Sequence, residues 1–155
     1  MKDYQKLAIS VAIPLLCGFL GSFFTSSSVS TWYETLAKPA FNPPNWLFAP
    51  VWTLLFILIG ISFYLVWKED FGNRRTMAIG VYAVQLLLNL GWSFLFFGLK
   101  NPFLAFIEII ALWSAILINI AVFYKISKKA GLLLVPYLLW VSFASLLNYY
   151  VFLLN

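Results

Sequence analysis

Gln85, Asn89, Trp92 and Phe96 recur at i, i+4, i+7 and i+11, and Tyr137, Trp140, Ala144 and Asn148 follow at i, i+3, i+7 and i+11. Helical spacing of this kind lays each set along one face. Indole and phenyl rings stack on flat apolar molecules, and amides bond their polar edges. Ala144 leaves a gap between large neighbours. The combination is the makeup of a lipophilic small-molecule site. An amide in hydrocarbon without a partner costs several kcal/mol, so Gln85 and Asn89 must face the bundle, a neighbouring polar group, water or a ligand rather than lipid. For Asn89 two uses remain open, a contact to a ligand and an ordinary interhelical bond. Trp52 and Trp140 fit pocket and packing equally well.

Two further faces carry the same theme. Trp52, Phe56, Ile59, Phe63 and Trp67 form a bulky stripe, while Gly18, Gly21, Ser22 and Thr25 form a narrow one that admits a neighbouring backbone or a ligand. Between them runs TWYETLAKPAFNPPNWLFAPVW, residues 31–52, with four of the seven prolines and three of the seven tryptophans. A connector this long, stiff and aromatic reads as a lid. Within it, Thr31 and Glu34 have capping-box spacing, which predicts a short helix from Trp32 to Ala37.

Other chemistries are excluded by absence. The sequence has no histidine and a single cysteine, Cys17, within an apolar run. An imidazole base, a His-ligated metal or haem and an internal disulfide therefore cannot be built, and no metal site is expected. No nucleophile elbow, phosphate-cradling glycine loop or pair of carboxylates appears, which removes conventional hydrolysis and phosphoryl transfer. Glu108 is the one carboxylate inside an apolar stretch, equally a functional-site candidate and a buried partner for a polar neighbour.

The elements that must position these residues follow from composition. With 63% hydrophobic and 10% charged residues in a 155-residue chain, a soluble domain is excluded. The reading is an all-α integral membrane protein, a single bundle of five transmembrane helices with a long structured loop between helices 1 and 2. The spans are expected at about 6–24, 50–67, 77–97, 102–124 and 131–154, with the lid loop at 25–49. Thr76 is expected to cap the third span, with Gly98 just past its end. Asn101-Pro102 is expected to open the fourth. The N-terminal MKDYQKLAISVAIPLL lacks a convincing cleavage site and reads as the first span. The odd span count and lack of an internal repeat disfavour a transporter of two halves. Of the ten Lys and Arg residues, eight fall at the N-terminus and the loops after spans two and four, against Lys38 and Lys100 on the other side. That split predicts the N-terminus inside and the lid outside, and accounts for the basic charge without nucleic acid.

The stretches WYETLAKPAFNPPNWLFAPVWTLLF, YLVWKE, QLLLNLGWSFLFFG and PYLLWVSFASLLNYYVF resemble the TspO/MBR family, the tryptophan-rich sensory proteins and peripheral benzodiazepine receptors, over essentially the whole chain. The resemblance implies five transmembrane helices in a multi-pass protein of a bacterial cell membrane, usually a homodimer. It implies a receptor for porphyrins and synthetic benzodiazepine-receptor ligands in a pocket beneath the first loop, and in some members light- and oxygen-dependent breakdown of protoporphyrin. Carried onto this sequence, the pocket positions are Tyr33, Pro43, Pro44, Trp52, Phe56, Asn89, Phe94, Trp140, Phe143, Ala144 and Leu147. Trp52 and Trp140 are the residues implied for any photochemistry.

Asn42 and Asn45 stand where mammalian members have lid histidines, so a metal-free porphyrin is the expected ligand or photosubstrate, with no obligatory cofactor. The C-terminal LLNYYVFLLN lacks the basic residue of the cholesterol-recognition pattern. The small-residue spacing around Gly80 and Ala83 is poor for a tight third-span dimer face. The competing expectation is transmembrane transport of tetrapyrroles or related lipophiles.

Overall fold

The computed structural model describes residues 1–155, Gly72 by its backbone alone. The chain is all-helical, with α1 at Asp3–Ser28, α2 at Phe48–Lys68, α3 at Arg75–Ser93, α4 at Pro102–Ile126, α5 at Lys128–Leu133 and α6 at Val135–Leu154. Five stretches are long and apolar enough to cross a membrane, the last formed by α5 and α6 together. Around the bundle the helices run α1, α2, α5 with α6, α4, α3, so α3 closes the ring against α1.

Several elements differ from the sequence reading for local physical reasons. α1 runs a turn past Phe24 because its polar end satisfies itself, with Thr25 and Ser27 hydroxyls donating to the carbonyls of Gly21 (3.4 Å) and Phe24 (3.0 Å). The helix expected from Trp32 to Ala37 is only a 3-10 turn at Tyr33–Thr35. Thr31 donates back to the Ser27 carbonyl at 3.0 Å instead of capping that turn. Thr76 does not cap α3, whose N-terminus carries no side-chain cap. Asn101 does cap α4, accepting from the Leu104 N–H at 3.1 Å, with Pro102 in the first turn. The last span breaks at Leu134, ahead of Pro136, whose ring cannot supply the N–H of a continuous helix.

The end of α3 departs most. Phe94–Gly98 forms a π-turn in which the Leu99 N–H reaches the Phe94 carbonyl at 2.7 Å. The extra residue resets the helical face, so Phe96 and Phe97 both turn inward while Phe94 turns out.

Packing is tightest away from the 29–47 connector. A Cβ on Gly60 of α2 would lie 2.5 Å from the Val11 Cα of α1, so the two backbones touch there. At the same end Phe63 stacks on Tyr82 at 4.3 Å and 18°, with Phe71 and Phe123 against Phe63. Each such pair adds about 0.5–1.5 kcal/mol beyond area burial. These rings pack that half of the bundle as an aromatic plug.

Candidate ligand-binding site

At the connector end the bundle holds a cavity of about 540 Å³ between α1, α2, α3 and α6. Its walls are aromatic. Trp52 stacks on Phe56 (5.6 Å, 29°) from α2, and Trp92 stacks on Phe96 (5.0 Å, 22°) from α3. Trp140 enters from α6, edge-on to Phe48 at 6.3 Å. α1 contributes little bulk, since a Cβ on Gly18 would meet the Phe56 ring at 2.5 Å. The absent side chain is what lets that ring lie against α1.

The floor is a hydrogen-bonded relay. Asn89 Nδ2 donates to the Tyr137 hydroxyl at 2.8 Å, and that hydroxyl donates to Gln85 Oε1 at 2.8 Å. The interhelical use of Asn89 is thus present, and the residue also borders the cavity. Higher up, Trp92 Nε1 donates to Asn148 Oδ1 at 2.9 Å, while Asn148 Nδ2 donates to the Pro102 carbonyl at 2.8 Å. These bonds fix the rings of α3 against α4 and α6. The Trp140 indole nitrogen is different, being buried without a partner among the described residues.

The roof is Tyr33, 4% exposed, whose hydroxyl donates to Asn42 Oδ1 at 2.9 Å. Burial pushes its phenol above the ordinary tyrosine range. Lys38 Nζ lies 4.6 Å from the centre of the Tyr33 ring and donates to the Tyr33 carbonyl at 2.7 Å. Asn155 ties the segment to α6, accepting from the Ala37 N–H at 3.0 Å and donating to the Ala37 carbonyl at 2.9 Å.

Of the positions implied by resemblance, Tyr33, Trp52, Phe56, Asn89, Trp140, Ala144 and Leu147 border the cavity. Pro43, Pro44, Phe94 and Phe143 do not. The two prolines lead into the 3-10 turn Asn45–Leu47, and from this stretch Asn45 and Phe48 reach the cavity. Phe94 is 43% exposed on the outer side of the π-turn and packs on Phe24 at 5.4 Å. Phe143 sits behind Trp140 and beneath Phe41.

Trp92, Phe96 and Asn148 also line the cavity, and their helical stripes are legible in the sequence. Phe97 lines it through the π-turn, for which no sequence signal stands out. Glu108 lies outside, its carboxyl against Gly91 of α3 without a hydrogen-bond partner among the described residues.

The same chain-wide pattern appears in other proteins. A family model described as the TspO/MBR family matches residues 10–154. The tryptophan-rich protein TspO of Archaeoglobus fulgidus is 51% identical over 150 residues, 97% of each chain. Its namesake from Chlorobaculum tepidum is 46% identical over 158 residues, covering 99% of this chain and 98% of its own. The translocator protein of Bos taurus is 37% identical over 139 residues, 88% of this chain and 82% of its own. With a family match across the chain and an aromatic cavity inside a five-span helical bundle, this multi-pass membrane protein belongs to the TspO/MBR family.

Proposed function

We propose that the protein is a membrane receptor for porphyrins of the protoporphyrin type and for synthetic ligands of the benzodiazepine-receptor class. The observation that carries this reading is the cavity of about 540 Å³, walled by Trp52, Phe56, Trp92, Phe96 and Trp140 and closed over by Tyr33. Its volume lies within the roughly 300–1,000 Å³ of small-molecule pockets. The rings offer stacking surface to a planar macrocycle, and the few polar groups suit its edges. The split of eight basic residues to two supports, as part of this proposal, an N-terminus inside and the 29–47 connector outside, with the cavity serving the outer side. The homodimer is part of the same proposal.

A second reading rests on Trp52 and Trp140 bordering one cavity. Protoporphyrin held there would act as photosensitiser with oxygen as oxidant, and the two indoles would tune or relay its oxidation. Irradiation of the complex under oxygen tests this. Trp52→Phe and Trp140→Phe proteins should lose the porphyrin spectrum more slowly than the parent, and equal rates contradict a chemical role. Transport is the weaker alternative, and the stacking of Phe63, Tyr82 and Phe123 in the other half of the bundle counts against a continuous path.

Titration with protoporphyrin IX, followed by tryptophan quenching, tests the binding reading. Saturable quenching that weakens in a folded Trp140→Ala variant supports it, and unchanged affinity in that variant contradicts it.

A further inference from the structure

The geometry points to a side portal between α1 and α2 through which a lipophile passes from the bilayer into the cavity, without the roof opening. This rests on the binding reading above and adds the route. Three observations carry it.

First, α1 changes partner along its length. At Gly60 and Val11 its backbone touches α2. Toward the connector it leans on α3 instead. A Cβ on Gly21 would meet Ser93 Oγ at 3.3 Å, Phe24 packs on Phe94, and Ser28 Oγ donates to the Phe97 carbonyl at 2.7 Å. On this side α2 meets α1 through the Phe56 ring at Gly18 rather than through its backbone.

Second, four residues that border the cavity are also exposed, namely Phe19 and Ser22 on α1 and Ala49 and Thr53 on α2. A side chain that faces both a cavity and the lipid-facing surface marks an opening between them. The hydroxyls at the rim do not make it polar, since Ser22 Oγ donates to the Phe19 carbonyl at 2.6 Å and Thr53 Oγ1 to the Ala49 carbonyl at 2.8 Å. With both hydroxyls satisfied on their own helices, the rim suits an apolar solute arriving from hydrocarbon.

Third, the roof is tied from several directions. Asn155 holds both main-chain groups of Ala37, Lys38 holds the Tyr33 carbonyl, and Asn42 holds the Tyr33 hydroxyl. Passage beneath it requires those bonds to break together, whereas the side route breaks none of them.

The test is stopped-flow transfer of protoporphyrin IX from phosphatidylcholine vesicles to the full-length protein in proteoliposomes, read by tryptophan quenching. A Ser22→Phe/Thr53→Phe variant should slow uptake and release together by about tenfold, equal to ~1.4 kcal/mol of added barrier. Both residues border the cavity, so slower release is the decisive reading: rings that only filled the cavity would weaken binding and speed release. Leu54→Phe, on the neighbouring outward surface of α2 and 57% exposed, should keep parental rates. Asn155→Ala, which loosens the roof, should keep them too. The inference is overturned if the double variant takes up protoporphyrin at the parental rate, or if Asn155→Ala accelerates uptake. Thermal unfolding of each variant shows that rates are compared between folded proteins. No quenching in the parent would overturn the binding reading itself, which keeps the two failures distinct.

Discussion

Asn89 of α3 and Tyr137 of α6 are joined by a 2.8 Å hydrogen bond at the floor of the cavity, and the tyrosine hydroxyl in turn donates a hydrogen bond to Gln85 Oε1. One phenol thereby serves two buried amides on the facing helix. Tyr137→Phe removes both bonds and leaves the amides without that partner. A loss of about 1–3 kcal/mol in unfolding free energy is expected. Chemical denaturation in detergent measures it, and parental stability would show that the relay contributes nothing.

The touching backbones at Gly60 and Val11 predict a severe response to one methyl group. In Gly60→Ala the added carbon would start 2.5 Å from the Val11 Cα, and the obstacle is main chain rather than a movable side-chain tip. Overpacking of this kind costs about 1–3 kcal/mol. The matching change at Gly80, whose Cβ would meet nothing within 4 Å, should be near neutral. Equal melting temperatures for the two variants would contradict the packing described.

At the roof, the raised phenol of Tyr33 gives a pH dependence of definite sign. Below the ordinary tyrosine pKa of about 10 the phenol is neutral whether the segment is docked or free. As the pH climbs beyond that, the free segment ionises first, so docking is lost progressively through the raised value. Hydrogen exchange at residues 29–47 should therefore rise in alkali beyond its intrinsic pH dependence, and Tyr33→Phe should remove that excess. An excess that persists in Tyr33→Phe would place its origin elsewhere.

Asn155→Ala removes the two contacts to Ala37. Faster proteolysis and hydrogen exchange across residues 29–47 are expected, with the α-helical circular dichroism unchanged. Parental protection would mean that Lys38 and Asn42 suffice to hold the segment.

The parts most legible in the sequence were those set by periodicity. The Gln85 to Phe96 and Tyr137 to Asn148 stripes turned the right faces inward because a regular helix keeps residues three and four apart together. Asn101 and Pro102 announced the start of α4 for the same local reason. What periodicity could not show was its own interruption. The π-turn at Phe94–Gly98 exchanged Phe94 for Phe97 on the inner face, and no glycine or proline pattern marks where the extra residue enters. The capping-box spacing at Thr31 and Glu34 was overruled when α1 continued to Ser28 and drew the Thr31 hydroxyl back to its own last turn. Glu108 was visible as an anomaly, yet only the fold places it against Gly91 rather than in the cavity.

Ala144 gives the most direct test that a flat lipophile occupies the cavity. It borders the open volume without filling it, between Trp140 and Asn148 on α6. In Ala144→Phe an added ring would occupy that space. Absorbance titration with protoporphyrin IX should show saturable binding to the parent and at least about a tenfold loss of affinity in the variant, a change of ~1.4 kcal/mol, at an unchanged melting temperature. Parental affinity in a folded Ala144→Phe protein would contradict the assignment of the cavity as the porphyrin site.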